Sequence, residues 1–450
     1  MSTPLLWILY SLYKCIYNLY FHPLAHIPGP FWARATPIPY IVGIKNGTMV
    51  PWIYKIHQKY GEVVRVAPFE CSFISAETAW QDIYSSTIWY SVPYSGVFSM
   101  LLADDASHAR QRTSVSHGFS DRALRDQEPL VQSLIDLLIQ WLGEFAEGGN
   151  EEIDISKWYN YAMFDIDADL LFGESLHCLR DRSGGIRAMQ RMYSVVAYYD
   201  YLVSLFKDNS AALRLHMAFG KAVNEKVHQR LELGADRPDI FSAVIKNQGV
   251  SDKGLTAAEM VQNSLLILTA GSETTATLLS GLTCLILKNP RVYDRLTREI
   301  RDNFKSADQV TFVAVEKLEY TLAVIQEALR YYPPSPTSFP RVVPKGVDRV
   351  SRYYLSEDTT VYVSQHATYH SARNFVEPDS FVPERGLNDT RKSLRIPYSF
   401  GPGNCLGKYL AHAEMRVILA KVPWHLDHEL RLGMHDWFER GKHFITSVKR

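Results

Sequence analysis

The chain has 450 residues, and its 48 lysine and arginine side chains balance 48 aspartate and glutamate side chains. A formal net charge of zero, with no basic cluster interleaved with aromatic residues, excludes nucleic acid as an expected partner. The length alone suggests about two or three domains. The alternative is one large, mainly helical unit, because no Gly/Ser linker, low-complexity segment or internal repeat divides the sequence.

The cysteines are scattered, without the paired spacing of a disulfide framework or a zinc site. They are Cys15, Cys71, Cys178, Cys284 and Cys405. This distribution favours a reducing compartment and leaves each thiol to be judged by its local context.

The N-terminus carries a localisation signal. Pro4 to Phe21 form a mostly apolar and aromatic stretch in which Lys14 is the one charged residue. A cleaved signal peptide fits less well, because no positive residue precedes the stretch and no small-residue cleavage site follows it. Residues 1–21 are predicted to be a membrane anchor, which either spans the bilayer, where about 20 residues are needed, or lies in its interface. The prolines that follow predict a rigid hinge over residues 22–35, ahead of a main domain over residues 36–450.

The main domain is predicted to be mainly α with a small β region. Alternating apolar residues predict strands near 63–66 and 359–363, and most of the segment 105–330 has helical periodicity. A capping box of Thr256 and Glu259 begins an apolar pattern that continues to Lys288, with Pro290 just beyond it. This long helix either spans a membrane or lies in a core. The core is favoured, because a spanning helix would place Glu273 near the bilayer centre at a cost of several kcal/mol.

Near the C-terminus, Cys405 lies in a loop rich in glycine and proline that leads into a predicted helix from Leu406 to about Val422. The free N–H groups and the positive end of the helix dipole favour an anion there, so the sequence predicts a lowered thiol pKa. A thiolate is a ligand for iron, whereas the alternative is an inert core thiol. Gly401 and Gly403 allow tight turns in this loop.

The loop resembles the haem-ligand loop of the cytochrome P450 family, F-x-x-G-x-R-x-C-x-G, in which Cys405 would be the axial iron ligand. Tyr398, Gly401 and Gly407 match further positions, with Tyr398 standing where Phe is usual and Gly407 letting a flat ligand lie close to the main chain. Gly403 departs from the pattern, because the family has an Arg there that pairs with a haem propionate. That lost contact is worth roughly 1.5–3 kcal/mol, so other cations must help to retain haem.

Residues 270 to 274 resemble the family's A-G-x-[DE]-T signature in the helix that crosses above the haem. By this resemblance, Ala270 and Gly271 leave room for a diatomic ligand. Glu273 and Thr274 are the implied catalytic residues, which hold water and deliver protons to dioxygen. A hydroxyl that bonds back to a helix carbonyl can also open the helix locally.

Three charged residues fit the family's structural network. Glu327 and Arg330 form an E-x-x-R pair one helical turn apart, which on its own is usually a surface pair worth about 0.3–0.5 kcal/mol. Arg385 lies in a segment that resembles the P-E-R-F element, with Gly386 replacing the last aromatic. The resemblance implies that the three side chains hold the ligand loop from beneath the haem. Removing one member of such a buried network should cost about 3–5 kcal/mol.

The resemblance also assigns cations to the haem propionates. His108 and Arg112 fit an H-x-x-x-R pattern on one helix face, and Arg341 matches the family's propionate Arg after the E-x-x-R helix. Taken separately, each is more often ordinary solvated surface. In the family's order along the chain, they are the residues expected to offset Gly403.

The implied protein has the cytochrome P450 fold with haem b as cofactor, and it hydroxylates or epoxidises an apolar small molecule. It would use O2 and electrons from an NADPH-cytochrome P450 reductase, because the sequence contains no flavin or nicotinamide motif. Residues 89–102 and 336–339 would line the substrate pocket, and Phe98, Leu101 and Leu102 suggest an apolar substrate. The hinge is similar to that of fungal microsomal members, which implies the endoplasmic reticulum membrane, a catalytic domain facing the cytosol, and secondary metabolism.

Two other functions stay open. One is a haem-thiolate isomerase or dehydratase that needs no external electrons, although the Glu273–Thr274 pair argues against it. The other is a degenerate haem-binding protein without catalysis. Gly403 supports that alternative, as does the position of Arg450, at which the chain stops short of where the family's last β-strand is expected.

Overall fold

The structure is a computed structural model of the chain. It describes residues 3–75, 96–147, 152–181, 211–246, 254–337, 340–388, 396–430, 442–443 and 447–448. Helices make up most of these residues and strands only a small part. The prediction of a mainly α fold with a small β region is therefore confirmed.

The helices are numbered here in chain order. The described α-helices are α1 (Thr3–Ile16), α2 (Phe31–Ala35), α3 (Ile38–Asn46), α4 (Met49–Tyr60), α5 (Asp105–Ser116), α6 (Asp121–Glu147), α7 (Ile155–Phe172), α8 (Cys178–Asp181), α9 (Ala211–Glu232), α10 (Ser242–Lys246), α11 (Ala257–Leu287), α12 (Pro290–Asn303), α13 (Phe312–Val315), α14 (Glu319–Tyr331), α15 (Gln365–Tyr369), α16 (Arg385–Asn388) and α17 (Lys408–His425). Short 3-10 helices lie at Pro23–His26, His117–Phe119 and Ala307–Gln309, and a π-helical turn lies at Tyr17–Phe21.

The strands form one mixed sheet and two small antiparallel pairs. They are β1 (Val63–Ala67), β2 (Glu70–Phe73), β3 (Arg341–Val342), β4 (Val347–Val350), β5 (Tyr353–Ser356), β6 (Thr360–Val363), β7 (Lys442–His443) and β8 (Ser447–Val448). The sheet order is β1-β2-β6-β3, in which β2 and β6 run parallel and the outer pairs run antiparallel. Strands β1 and β6 lie where the alternating apolar pattern predicts them.

The predicted long helix is α11, which has 31 residues. The Thr256 side chain accepts a hydrogen bond from the Glu259 N–H, and the Glu259 carboxylate accepts one from the Thr256 N–H, so the capping box is complete. Among the described residues, α11 is the helix long and apolar enough to span a membrane. Most of it is nevertheless buried in the largest hydrophobic cluster, where it packs against α7, α9 and α14. It is the central helix of the core.

The N-terminal segment consists of an exposed helix followed by a segment that contacts the sheet. Helix α1 exposes large apolar side chains along its length. After it, the buried guanidinium of Arg65 on β1 donates hydrogen bonds to the carbonyls of Asn18 and Leu24, at 2.8 and 3.4 Å. The Asn18 amide in turn donates to the Ala35 carbonyl at 2.9 Å. The chain between α1 and α2 is thus fixed on the sheet by side-chain hydrogen bonds to its backbone carbonyls.

Candidate functional site

The loop before α17 is a compact turn built from backbone hydrogen bonds. The Cys405 N–H donates to the Tyr398 carbonyl at 2.8 Å, and the Asn404 N–H donates to the Gly401 carbonyl at 3.1 Å. Gly401 has a φ of +76°, a left-handed conformation that glycine adopts without steric cost. Ser399 also adopts positive φ, at 61°. These turns place Cys405 just ahead of α17, whose N-cap is Gly407.

The Cys405 residue is exposed as a whole. The protein around its sulfur nevertheless excludes part of the water, and this desolvation raises the thiol pKa. The Gly407 N–H and the charges of Arg112 and Lys408 act in the opposite direction and favour the thiolate. The predicted lowering of the thiol pKa is therefore wrong for the protein alone. The helix start does supply an N–H donor, but desolvation outweighs it. The N–H donor and the positive charges that would stabilise a metal-bound thiolate are nonetheless in place.

Arg112 holds the residue that precedes the thiol. Its guanidinium donates to the Asn404 carbonyl at 2.8 Å and to the Asn404 side-chain oxygen at 2.5 Å. It lies close enough to Cys405 for each group to affect the pKa of the other. The sequence pointed to Arg112 as a cation but not to this contact. Arg112 thus orients the loop, and its role toward a propionate stays a prediction.

His108 and Arg341 each carry a buried nitrogen without a hydrogen-bond partner among the described residues, namely His108 Nε2 and Arg341 Nη1. His108 Nδ1 lies 2.6 Å from the Met100 carbonyl, which only accepts, so Nδ1 carries a hydrogen. Burial lowers the pKa of Arg341, and no described carboxylate offsets that effect. An unpaired buried donor such as Arg341 Nη1 is costly, and a carboxylate would satisfy it. Because His108 Nδ1 carries a hydrogen, His108 Nε2 can donate to a second carboxylate only when the ring also binds a second proton. These residues therefore fit the propionates of a haem whose iron Cys405 would bind.

The structure brings the three predicted network residues together in a buried cluster. Arg330 donates from Nε to Glu327 Oε2 at 3.0 Å and from Nη2 to Glu327 Oε1 at 2.8 Å. Arg385 Nε reaches Glu327 Oε1 at 3.3 Å. Glu327 and Arg330 are almost completely buried. Gly386 follows, and a Cβ there would lie 3.1 Å from Ala323 of α14, so the glycine permits close approach of α16 to α14.

This charged network reaches the ligand loop through α15. Arg330 Nη1 donates to the Tyr369 carbonyl at 2.8 Å. The Tyr369 hydroxyl accepts from the Ile396 N–H at 3.1 Å, and Gln365 donates to the Pro397 carbonyl at 3.3 Å. Residues 396 and 397 begin the loop that ends at Cys405. The network therefore supports the loop through two steps of hydrogen bonding.

The middle of α11 presents small and polar side chains. Ala270 is exposed although it lies in the central helix, and Glu273 and Thr274 are partly buried. The Thr274 hydroxyl donates to the Ala270 carbonyl at 2.6 Å. Because a hydroxyl has one hydrogen and two lone pairs, the Thr274 oxygen can still accept a hydrogen bond from water.

Gly271 is required by a neighbouring carboxyl group that sequence reasoning missed. A Cβ on Gly271 would lie 2.5 Å from Oδ2 and 2.7 Å from Oδ1 of Asp167 on α7. Asp167 is buried, and its Oδ2 has no hydrogen-bond partner among the described residues. Burial and the nearby carboxyl of Glu414 raise the pKa of Asp167, and burial raises that of Glu414 to about 8. The sequence signal that could have identified Asp167 was an acidic residue within the apolar pattern of α7.

Part of the predicted substrate pocket is outside the described residues, namely 89–95 and 338–339. Residues 96–102 are described, and they include Phe98, which is 39% exposed, and the partly exposed Leu101 and Leu102. Pro336 and Thr337 are also described, and Thr337 is buried.

Comparison with known proteins identifies the family. The family model described as Cytochrome P450 matches residues 40–438. The chain belongs to the cytochrome P450 family. It is 42% identical to the cytochrome P450 monooxygenase traB of Penicillium crustosum, over 99% of this chain and 94% of that protein. It is also 38% identical to the averantin hydroxylase of Dothistroma septosporum, over 96% of this chain and 86% of that protein.

A further relative is the trichothecene C-4 hydroxylase of Trichoderma arundinaceum, which is 37% identical over 96% of this P450 and 92% of that protein. These three relatives, which are 37–42% identical over nearly the whole chain, are fungal monooxygenases and hydroxylases. The predicted family and the predicted enzyme class, a monooxygenase among the oxidoreductases, are confirmed. Membership implies haem iron, O2, a redox partner and a small-molecule substrate.

Proposed function

We propose that this P450 binds haem b through the Cys405 thiolate and hydroxylates or epoxidises an apolar small molecule. Electrons would come from an NADPH-cytochrome P450 reductase. The observation that carries the proposal is the exposed Cys405 thiol, surrounded by the Gly407 N–H, Arg112 and Lys408. These groups stabilise a negative sulfur, which is the form that binds iron.

Each described site residue has a task in this reaction. When bound, a thiolate-ligated haem supplies oxygen activation. The His108 Nε2 and Arg341 Nη1 nitrogens would hold its carboxylates, and His108 donates from both nitrogens only when its ring is protonated. The fixed Thr274 oxygen would accept a hydrogen bond from a water molecule and orient it. Glu273, one residue away, would supply protons to that water.

The relatives and the exposed apolar side chains bear on the substrate. Two relatives are named as hydroxylases of averantin and of the C-4 position of a trichothecene. Phe98 is exposed in a segment whose backbone is held by hydrogen bonds, so it is available to contact an apolar molecule. A substrate from fungal secondary metabolism is the proposal that these observations support.

The N-terminal segment supports a membrane location. Residues 1–21 would form the anchor, residues 22–35 the hinge and residues 36–450 the catalytic domain. Helix α1 has 14 residues, which is short for spanning on its own, and it exposes Trp7, Ile8 and Tyr13 among its apolar side chains. Helices α2 and α3 add Phe31, Trp32 and Ile38 to the exposed apolar surface. We propose that this surface inserts into the endoplasmic reticulum membrane, with the catalytic domain facing the cytosol.

The test is the carbon monoxide difference spectrum of the reduced full-length protein in membranes. We expect the red-shifted Soret band of a thiolate-ligated haem, its loss in Cys405→Ser, and its retention in Cys15→Ser. Retention of the band in Cys405→Ser would refute the proposed ligand. Haem-free wild-type protein would refute haem binding, and a normal band without substrate turnover in the presence of NADPH and reductase would favour the degenerate haem-binding alternative. Substrate turnover without NADPH and reductase would favour the isomerase or dehydratase.

A further inference from the structure

A polar network holds the segment from Phe98 to Met100 against two helices. Asn263 lies on α11 and is completely buried. Its side-chain oxygen accepts a hydrogen bond from the Met100 N–H at 2.9 Å. Its side-chain nitrogen donates to Gln111 Oε1 at 2.7 Å and to the Glu259 carbonyl at 2.9 Å. The hydrogen-bonding capacity of this buried amide is therefore almost fully used.

Helix α5 completes the network from the other side. Gln111 is buried, and its side-chain nitrogen donates to the Phe98 carbonyl at 3.2 Å. The His108 ring donates to the Met100 carbonyl at 2.6 Å. The N–H and the carbonyl of Met100 are thus held by different helices, and the Phe98 carbonyl is held by α5.

An ion pair joins the two helices that carry these side chains. Arg110 of α5 pairs with Glu259 of α11, and it also donates to the Gly254 carbonyl at 2.9 Å. Glu259 belongs to the capping box, so its position is fixed at the start of α11. The two helices therefore present Asn263 and Gln111 in a fixed relative position.

Buried and accessible residues lie next to each other in and just after the segment from Phe98 to Met100. Ser99 and Met100 are buried, whereas Phe98 is exposed, and Leu101 and Leu102 are partly exposed. A backbone fixed by three side-chain hydrogen bonds limits where such apolar side chains can lie. Precise side-chain placement matters most for ligands that fill the available space.

We propose that Asn263 and Gln111 are positioning residues that fix the Phe98–Met100 segment and thereby restrict the size of molecules that reach the haem iron. The inference rests on the proposed function, because it assumes a haem and a substrate space beside this segment. A merely structural role would leave the preference between small and large ligands unchanged.

The first test is hydrogen exchange in the haem-loaded full-length protein. Asn263→Ala removes the acceptor of the Met100 N–H, so we expect the amides of residues 98–103 to exchange about five-fold faster, the change that one net hydrogen bond corresponds to. Asn289→Ala is the matched control, since Asn289 also donates to the carbonyl four residues earlier, at 2.7 Å, but lies just beyond the C-terminal end of α11. Unchanged exchange in Asn263→Ala would overturn the proposal.

The second test compares two probes that bind haem iron, imidazole and the larger 4-phenylimidazole, by the shift of the Soret band. In Asn263→Ala we expect the Kd of 4-phenylimidazole to fall about five-fold relative to that of imidazole, because the restriction on size is relaxed, and in Asn289→Ala we expect both to stay the same. Equal changes for both probes, or none, would overturn the size restriction. Gln111→Leu removes the Phe98 contact and provides the same comparison if Asn263→Ala fails to fold. Absence of the carbon monoxide band in the wild type would instead count against the proposed function.

Discussion

Two of the regions in which the protein buries acids neutralise them in opposite ways. Glu327 meets the guanidinium groups of Arg330 and Arg385, and its Oε1 also accepts the Val382 N–H at 3.1 Å. Asp167 and Glu414 share a second region, where burial and mutual repulsion raise the pKa of Asp167. A buried carboxylate persists when cations and N–H donors surround it, whereas two neighbouring carboxyls without a cation keep their protons. The first region is a charged support, and the second is a neutral contact.

We expect mutation to destabilise the charged support around Glu327 more than the neutral contact of Asp167 and Glu414. Glu327→Ala leaves two buried guanidinium groups without their carboxylate, so we expect a loss of about 3–5 kcal/mol in the free energy of unfolding. Haem retention should fall with it, because the network supports residues 396 and 397 through α15. Urea unfolding followed by circular dichroism measures the first effect, and the carbon monoxide band measures the second.

The control for Glu327→Ala is a surface pair of similar geometry. Arg352 Nη2 lies 2.9 Å from Glu62 Oε2, with the Arg352 side chain 72% exposed. Arg352→Ala should cost no more than about 1 kcal/mol. Equal losses in the two variants would show that the Glu327 network is no more than an ordinary ion pair.

A second prediction concerns α11 beside the neutral region. Thr274→Ala removes the hydroxyl that we expect to orient water, so the rate of product formation should fall by about 100-fold, the lower range for general acid–base contributions. The carbon monoxide band should be unchanged. Thr269→Ala is the matched control, because Thr269 makes the same type of bond to the Leu265 carbonyl at 2.8 Å. Similar losses in both variants would assign the effect to helix geometry and not to proton delivery.

Gly271→Ala tests how closely the neutral region is packed. The new methyl group would lie 2.5 Å from Asp167 Oδ2, and we expect this overpacking to cost about 1–3 kcal/mol. Gly220 in α9 has no neighbouring atom within 4 Å of an added Cβ, so Gly220→Ala should stabilise the protein by about 0.5–1 kcal/mol. Thermal unfolding measures the effects of both single variants. The double variant Asp167→Ala/Gly271→Ala should be more stable than Asp167→Ala alone. If it does not, the close contact is relieved by helix movement.

Local patterns predicted the elements, whereas contacts between distant residues decided the details. The capping box and Pro290 were sufficient to predict α11, because both signals lie next to the helix ends. The contact of Arg112 with Asn404 joins residues 292 positions apart, and no local pattern predicts it. The Cys405 pKa shows the same limit. The helix start was visible in the sequence, but the surrounding protein that raises the pKa came from the fold.

A further expected effect is a pH dependence that separates the two regions. Glu414 has an ordinary pKa of 4.5, raised by burial to about 8 in the folded protein. The folded state therefore binds this proton more tightly than the unfolded state does. The stability it contributes is fully present below about pH 4.5 and is lost as the pH rises through about 8. Asp167 shifts in the same direction and should strengthen the trend.

Glu414→Gln should flatten this dependence, because a glutamine has no proton to lose. The measurement is the unfolding temperature at a series of pH values from 5 to 8.5, in the wild type, in Glu414→Gln and in the surface variant Arg352→Ala. We expect the wild type and Arg352→Ala to lose stability in parallel toward pH 8.5, while Glu414→Gln loses less. Parallel curves for all three proteins would mean that Glu414 is ionised in the folded state, and that a cation neutralises it as Arg330 and Arg385 neutralise Glu327.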